Sequence, residues 1–306
     1  MIQPRPPPFR KHAMFKGVFT ALITPFKDGK LDETALANMI EFQINNGISG
    51  LVPCGTTGES ATLSHAEHKQ VITTCLNLVN GRVPVIAGAG SNSTAETIEL
   101  TRFAKEAGAN GALLITPYYN KPTQQGLFRH YQTVADAVDI PIVLYNVPGR
   151  TGVDMLPDTI TRLAKHPNIV AVKEATANME RASIILQQTE GKITLLSGDD
   201  ATFLPFLAIG GEGVISVSTN IAPDQMVALW RHFCKGDLTA SRRSHTKLLE
   251  INRLLFCETN PIPVKAAAAM MGLCGPEIRL PLTPLADQHR EPLRQAMRRI
   301  GLVTKS

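Results

Sequence analysis

Eight short apolar runs recur along the chain, and they constrain its fold more than any other feature of the sequence. The runs cover residues 18–23, 50–54, 83–88, 112–116, 142–145, 169–173, 193–197 and 213–217. Continuous rather than alternating apolar runs are typical of parallel strands that are buried on both faces. Each gap between two runs is long enough for a crossover helix, which a parallel pair of strands requires. The pattern therefore predicts strands and helices in regular alternation.

The segments between the runs carry signals for helix starts and ends. Ser64 with Glu67, and Ser93 with Glu96, have the spacing of capping boxes, in which serine and glutamate each satisfy an unpaired backbone donor. Gly108 lies where a helix must end before the next run begins. These signals support one helix between each pair of runs.

Eight strand–helix units predict an α/β protein, a (β/α)8 TIM barrel over residues 14–222. A doubly wound sheet is the alternative, but the regular spacing shows no domain break. No strand-like run follows Pro223, so residues 223–306 are predicted to form a C-terminal helical domain. Residues 1–13 are rich in proline and basic side chains and are predicted to be a flexible extension.

Composition excludes several other classes of protein. With 43% hydrophobic and 19% charged residues the chain is not expected to be disordered. No apolar run approaches the roughly 20 residues that span a bilayer, so no membrane segment is predicted. The net charge is only +5 and aromatic residues make up 5%, whereas nucleic-acid binding requires a concentrated basic patch with stacking aromatics. We expect no nucleic-acid partner.

The cysteines and the N-terminus bear on the compartment. The five cysteines form no C-x-x-C pair, which argues against a disulfide framework and a cysteine zinc site. Prolines stand where a signal peptide would have its apolar core, so export is not expected. Reduced thiols and a cytoplasmic location are the simplest interpretation.

Lys173 is the first candidate for chemistry, because active sites of such barrels lie at the carboxyl ends of the strands. It closes the sixth run, and alternation places it on the same strand face as Ala171, which we predict to face the barrel interior. Burial would disfavour the charged ammonium and leave a free amine that can attack a carbonyl. The alternative is a strand-end lysine that reaches solvent or pairs with a carboxylate.

Tyr145 and Arg150 close the preceding run and its loop. A tyrosine one strand away from an amine could move protons during imine formation, although tyrosines at a barrel rim are also common. An arginine in the following turn could bind a carboxylate with two hydrogen bonds, or it could be an ordinary surface residue. Taken together on adjacent strands, these residues favour a site.

The loop after the second run offers a binding site for an anion. Glycines flank Thr56 and Thr57, so the backbone can approach a ligand while two hydroxyls and nearby amides bind a carboxylate. The lysine of a phosphate loop is missing. His65 and His68 are spaced to share one helix face, but no third ligand is evident, so no metal site is predicted and a polar or regulatory contact is favoured.

Five motifs, found in order along the chain, resemble those of a known family. They are Gly55-Thr-Thr-Gly-Glu59, Tyr118-Tyr-Asn120, Tyr145-Asn-Val-Pro-Gly-Arg-Thr-Gly152, Val172-Lys-Glu174 and Ser197-Gly-Asp-Asp200. Together they resemble the signatures of the pyruvate-dependent class I aldolase (N-acetylneuraminate lyase) superfamily, and within it those of the 4-hydroxy-tetrahydrodipicolinate synthase family. The resemblance runs from about Met14 to the C-terminal helices, and the extension before Met14 departs from it.

The resemblance implies roles for the candidate catalytic residues. Lys173 would form a Schiff base with pyruvate, and the resulting enamine would attack L-aspartate 4-semialdehyde in the first committed step of lysine and diaminopimelate synthesis. Tyr145, Thr56 and Tyr119 would relay protons, with Tyr119 supplied by a neighbouring subunit. No metal or organic cofactor is implied, because the lysine imine is itself the electron sink.

The resemblance also implies how the two substrates are held. Thr56 and Thr57 would bind the pyruvate carboxylate, and Arg150 would bind the carboxylate of aspartate semialdehyde. Gly198 and the backbone at Ile215 would line the pocket. The assembly implied is a homotetramer built as a dimer of dimers.

Some members of the family are inhibited by L-lysine, and this chain carries the residue types of the lysine-sensitive enzymes. The matching positions are Ser60, Ala61, His65, His68, Asn92, Glu96 and Tyr118. Helix capping and loop turns could also explain Ser60 and Glu96. We favour a regulatory lysine site, because a carboxylate at a helix start can pair with a ligand ammonium.

Two other functions compete with this one. A sugar-acid aldolase or lyase of the same superfamily would share Lys173 and Tyr145, but such enzymes tend to carry serine at the position of Thr56, and Arg150 suits a small carboxylated aldehyde. A non-catalytic sensor of keto acids would need no amine nucleophile, which the chain has.

Overall fold

All eight apolar runs form parallel strands of one sheet in the computed structural model, which describes residues 15–304. The strands are β1 Gly17–Ala21, β2 Gly50–Val52, β3 Ile86–Gly88, β4 Gly111–Ile115, β5 Ile142–Asn146, β6 Ile169–Glu174, β7 Thr194–Ser197 and β8 Gly213–Ser216. Their order is β2-β1-β8-β7-β6-β5-β4-β3, and a parallel bridge between Leu51 and Val85 joins the two edges. The predicted (β/α)8 TIM barrel is confirmed.

Helices connect the strands and cover the outside of the barrel. They are α1 Glu33–Asn45, α2 His65–Val79, α3 Thr94–Ala107, α4 Gln124–Ala137, α5 Pro157–Leu163, α6 Met179–Thr189, α7 Phe203–Ala208 and α8 Pro223–Cys234. Smaller elements lie in the loops: a hairpin of Phe26–Lys27 with Lys30–Leu31, a one-turn helix Pro148–Thr151, and 3-10 turns Ser60–Thr62 and Ser218–Asn220.

The two predicted capping boxes have different outcomes. At the start of α2, Ser64 and Glu67 exchange both hydrogen bonds, as predicted. At the start of α3, the Ser93 hydroxyl accepts from the Glu96 backbone, but the reciprocal bond is absent. The prediction of a complete box was wrong there, because the Glu96 carboxylate is bonded to His65 and Ser91 instead.

The C-terminal part of the described chain contains only helices beyond residue 222, as the sequence indicated. They are α8, α9 Leu238–Leu254, α10 Ile262–Met270 and α11 Asp287–Arg299. Helix α8 contacts β1 and so occupies the place of the eighth barrel helix. One hydrophobic cluster contains barrel residues such as Val18 and Leu51 together with Leu248 and Leu293 of the C-terminal helices. The core is therefore continuous across residues 222 and 223, and the domain boundary placed there stays a prediction. The predicted extension at residues 1–13 lies outside the described residues.

The interior of the barrel is filled by side chains from several strands. Phe19, Tyr145, Leu196 and Ile215 form one buried cluster there. Ala171 belongs to the same cluster, and because side chains on a strand alternate, Lys173 projects towards the same interior at the carboxyl end of β6. The fold thus places a lysine where the strands end.

Two features are absent from residues 15–304, a membrane-spanning helix and a cluster of metal-ligating side chains. No helix in this part of the chain is both long enough and apolar enough to cross a membrane. Within the same residues, no three histidine, cysteine or acidic side chains are grouped so that they could hold a metal ion.

The seam between β1 and β8 gives the first prediction. Gly213 pairs with Gly17 in register, and a Cβ at Gly213 would lie 2.1 Å from the Gly17 carbonyl oxygen. Because the strands must separate to admit a methyl group, Gly213→Ala should lower the free energy of unfolding by about 1–3 kcal/mol. Denaturant unfolding measures this, with Gly275→Ala as control, since its Cβ would meet nothing closer than 3.6 Å. Equal stability of the two variants would contradict the prediction.

Candidate active site

Lys173 and Tyr145 lie side by side at the carboxyl ends of adjacent strands. They are register partners in β6 and β5, and the Lys173 Nζ lies 4.1 Å from the centroid of the Tyr145 ring. Lys173 is only 6% exposed, so it does not reach freely into solvent. Its neighbour Glu174 pairs with Arg181 rather than with Lys173. The structure therefore presents a buried amine against an aromatic hydroxyl-bearing side chain.

Gly198 and the loop after β8 shape the space next to this amine. A Cβ at Gly198 would lie 3.2 Å from the Lys173 Cε and 2.5 Å from the Ala175 Cβ, so only glycine leaves room for the lysine side chain. Asp200 is buried and accepts hydrogen bonds of 2.9 Å from the backbone of Val217 and Ser218. Burial raises the pKa of its carboxyl. These bonds hold the backbone that follows the predicted pocket residue Ile215.

A buried polar network fixes the end of β6, and the sequence analysis did not find it. Glu174 is buried and accepts from Arg181 Nε at 2.9 Å and from the Thr176 backbone at 2.9 Å. Arg181 also bonds Asp154 at 3.0 Å, and Asn146 donates to both acids. The signal available in the sequence was Glu174 at the end of an apolar strand, where a buried carboxylate needs a cationic partner.

Thr57 and Arg150, two of the three residues predicted to bind carboxylates, are joined by a residue that the sequence analysis missed. The buried Asn260 donates through its side-chain Nδ2 to Thr57 Oγ1 at 3.0 Å, and its backbone carbonyl oxygen accepts from Arg150 Nη2 at 3.2 Å. Asn260 comes from the segment before α10, far along the chain. No local pattern could have linked it to these loops.

One cavity of about 460 Å³ unites residues that the resemblance assigned to two separate sites. Thr56 and Arg150 line it, and so do six of the seven residues predicted to bind lysine. Those six are Ser60, Ala61, His65, His68, Glu96 and Tyr118. Asn92 is not among the lining residues; its carbonyl oxygen accepts from Asn120 Nδ2 at 2.9 Å. The loop predicted to bind a carboxylate, which includes Thr56, therefore shares a cavity with the residues predicted to bind lysine.

Glu96 is one of two acidic residues that line this cavity, the other being Glu59. Its Oε1 lies 2.6 Å from His65 Nε2, and its Oε2 accepts from the Ser91 hydroxyl. His68 Nε2 lies 2.7 Å from the Gly88 carbonyl oxygen, and burial lowers the pKa of this imidazole. Burial and the Glu96 charge together raise the pKa of Tyr118. The cavity can therefore accept a cation at Glu96 beside neutral hydrogen-bonding groups.

Tyr119 is not brought into the site within a single chain. Its side chain is 89% exposed, and its backbone has the left-handed φ of +68°, which a non-glycine residue adopts only at a cost. The expectation that Tyr119 acts on a neighbouring subunit stays a prediction.

Comparisons with known proteins agree on one family. The model of the dihydrodipicolinate synthetase family matches residues 14–300. A 4-hydroxy-tetrahydrodipicolinate synthase of Magnetococcus marinus is 62% identical over 290 residues, covering 95% of this chain and 99% of that protein. A chloride-inhibited dihydrodipicolinate synthase of Acinetobacter baumannii, solved with pyruvate, is 46% identical with a TM-score of 0.92, covering 95% of this chain and 100% of that one. A synthase of Cyanidioschyzon merolae with lysine bound is 41% identical with a TM-score of 0.92, covering 95% and 99%.

Glu67 and Arg279, which hold the start of α2 beside this cavity, give a pH prediction. Arg279 above all holds the pKa of the Glu67 carboxyl at about 2. A depressed carboxyl pKa contributes stability that is present above the unfolded value near 4.5 and is lost as the pH falls towards 2. Glu67→Gln should therefore be less stable than wild type at neutral pH, and the difference should vanish by about pH 2.

Thermal unfolding across that pH range measures the difference. Exposed Glu106→Gln serves as control and should track the wild type throughout. A Glu67→Gln variant whose stability deficit does not shrink on acidification would contradict the assignment.

Proposed function

Because this chain belongs to the dihydrodipicolinate synthetase family, we propose that it condenses pyruvate with L-aspartate 4-semialdehyde to give 4-hydroxy-tetrahydrodipicolinate. The chain is an enzyme, a lyase, and the shared name of its relatives supports the pyruvate-condensing step of lysine and diaminopimelate synthesis. The observation that carries the chemical proposal is the buried Lys173 amine, 4.1 Å from the Tyr145 ring at the carboxyl end of the barrel.

The first step is formation of an imine on Lys173. The Nζ lone pair attacks the carbonyl carbon of pyruvate, a C–N bond forms, and the carbonyl oxygen leaves as water after taking up protons. Tyr145 is the neighbouring hydroxyl that gives and takes these protons, in relay with Thr56 and with Tyr119 of a neighbouring subunit.

The next steps use the imine as an electron sink. Loss of a proton from the pyruvate methyl group gives an enamine, whose carbon attacks the aldehyde of the second substrate and forms a C–C bond. The amine of that substrate then attacks the imine carbon, a ring C–N bond forms, and Lys173 leaves as a free amine. The balance closes without a redox cofactor.

The two carboxylates are bound on opposite sides of one buried residue. Thr56 and Thr57 hold the pyruvate carboxylate, and Arg150 binds the carboxylate of aspartate semialdehyde. Asn260 bridges Thr57 and Arg150, which supports a fixed separation between the two binding groups. Gly198 and the backbone at Ile215 line the remaining side. The pyruvate complex of the Acinetobacter relative supports the choice of keto acid.

L-lysine is the proposed inhibitor, bound in the part of the cavity around Glu96. A lysine ammonium would pair with this carboxylate, while Ser60, His65 and Tyr118 offer polar contacts along the same wall. Ala61, His68 and Asn92 complete the proposed site. The relative from Cyanidioschyzon merolae, which was solved with lysine bound, supports this assignment.

The proposed assembly is a homotetramer, a dimer of dimers. Exposed Tyr119, whose relay role requires entry into another subunit's site, supports at least a dimer. Five unpaired cysteines are consistent with a cytoplasmic enzyme.

Lys173→Ala tests the covalent step. Because the variant lacks the nucleophile, turnover of pyruvate with aspartate semialdehyde should fall by about a thousandfold or more. Borohydride should trap pyruvate on the wild-type chain, seen as an added mass on the peptide holding Lys173, and should trap none on the variant. Exposed Lys192→Ala should behave as wild type. Trapping without turnover in the wild type would instead indicate a sugar-acid aldolase, and the absence of trapping would indicate a sensor.

Glu96→Ala tests the regulatory site separately. Removing the carboxylate should abolish inhibition by L-lysine, because the ligand ammonium loses its counter-charge. Turnover without lysine should stay within about threefold of wild type, since Glu96 contacts His65 and Ser91 rather than Lys173. Turnover measured at rising lysine concentrations tests this prediction. Inhibition that persists in the variant would show that the lysine site does not depend on Glu96.

A further inference from the structure

A second buried lysine, Lys265, has no place in the chemistry above. It is 1% exposed, and its Nζ is bonded to Oε1 of Glu59, which is 5% exposed. The other carboxylate oxygen of Glu59 accepts from the Arg279 backbone at 3.0 Å. The Lys265 Nζ also lies 4.2 Å from the centroid of the Phe26 ring. The pair is thus enclosed between the barrel and the C-terminal helices.

Glu59 stands at the junction of the substrate loop and the proposed effector residues. Its backbone has a left-handed φ of +54°, and its amide donates to the Thr56 carbonyl oxygen at 3.1 Å. The next residue, Ser60, begins the 3-10 turn Ser60–Thr62. A displacement of Glu59 would therefore move Thr56 on one side and Ser60 on the other.

Stability alone does not account for a charged pair at this place. Removing an ammonium and a carboxylate from water costs about as much as their attraction returns, so neutral side chains of similar volume would stabilise the fold as well. Burial lowers the pKa of Lys265 while the Glu59 charge opposes that shift. The pair instead fixes a position, because the Lys265 ammonium determines where the Glu59 carboxylate, and hence the loop, must lie.

We infer that Lys265 is a positioning residue that acts through Glu59 to hold the loop 55–60 in place at the wall of the cavity. The inference rests on the proposed function, which assigns the pyruvate carboxylate to Thr56 and Thr57. Lys265 thereby sets the affinity for pyruvate and for L-lysine together, although it is not among the residues that line the cavity.

The decisive variant is the double substitution Glu59→Gln/Lys265→Met, because it removes both charges and leaves no buried ion unpaired. Its melting temperature should stay near that of the wild type. The KM for pyruvate should rise about tenfold, with kcat changed less than about threefold, and half-maximal inhibition should need about tenfold more lysine. The single variant Lys265→Met, which leaves the Glu59 charge buried alone, should show the same changes with lower stability.

A matched control replaces the exposed ion pair of Glu190 and Lys192 by Glu190→Gln/Lys192→Met. This control should leave the KM, kcat and lysine inhibition unchanged. A folded Glu59→Gln/Lys265→Met enzyme whose KM for pyruvate and lysine response lie within twofold of wild type would overturn the inference. A double variant that cannot fold would assign the pair to stability and would overturn it equally.

Failure of the proposed function would be distinguishable. If the wild type traps pyruvate with borohydride but does not turn over, the condensation is refuted, and the pyruvate concentration for half-maximal trapping replaces KM as the readout. If the wild type traps no pyruvate, both the proposed function and the positioning role fall, since the loop then has no pyruvate carboxylate to hold.

Discussion

The closed ring of parallel strands is the constraint on which the rest of the structure depends. Its interior is filled with apolar side chains, so a polar group on a strand is accommodated where the strand ends and the loops begin. Lys173 is at that position on β6, and Tyr145 is its register partner on β5. Strand pairing therefore determines how the Lys173 and Tyr145 side chains lie relative to each other, and the loops contribute the remaining residues of the candidate site.

Two buried carboxylates near this rim are held by specific cationic partners. Glu174 is bonded to Arg181, and Glu59 to Lys265. Both acids also accept a backbone N–H, so each carboxylate is fixed by two directions rather than one. Because an unpaired buried ion costs several kcal/mol, such groups restrict the loops around them far more strongly than apolar contacts would. This rigidity suits the proposed alignment of two small carboxylated substrates.

The loop 55–60 lies between the proposed pyruvate site and the proposed lysine site. Thr56 and Ser60 are four residues apart and line the same cavity, so a ligand near Glu96 acts on a wall that the proposed pyruvate site shares. A short rigid loop between two sites needs no large conformational change to couple them, since a small displacement at one end moves the other.

The sequence by itself determined the barrel, because eight buried strands require continuous apolar runs, and it singled out Lys173, Tyr145 and the Thr56 loop as candidates, because each lies at the end of such a run or in the loop that follows it. Tertiary structure alone decided the supporting contacts. Asn260 contacts Thr57, and Lys265 contacts Glu59, although about 200 residues of chain separate the members of each pair. The Glu96 carboxylate is bonded to His65 and Ser91 instead of completing its predicted capping box. Local patterns encode hydrogen bonds within a few residues, whereas these partners meet only because the closed barrel brings distant segments together.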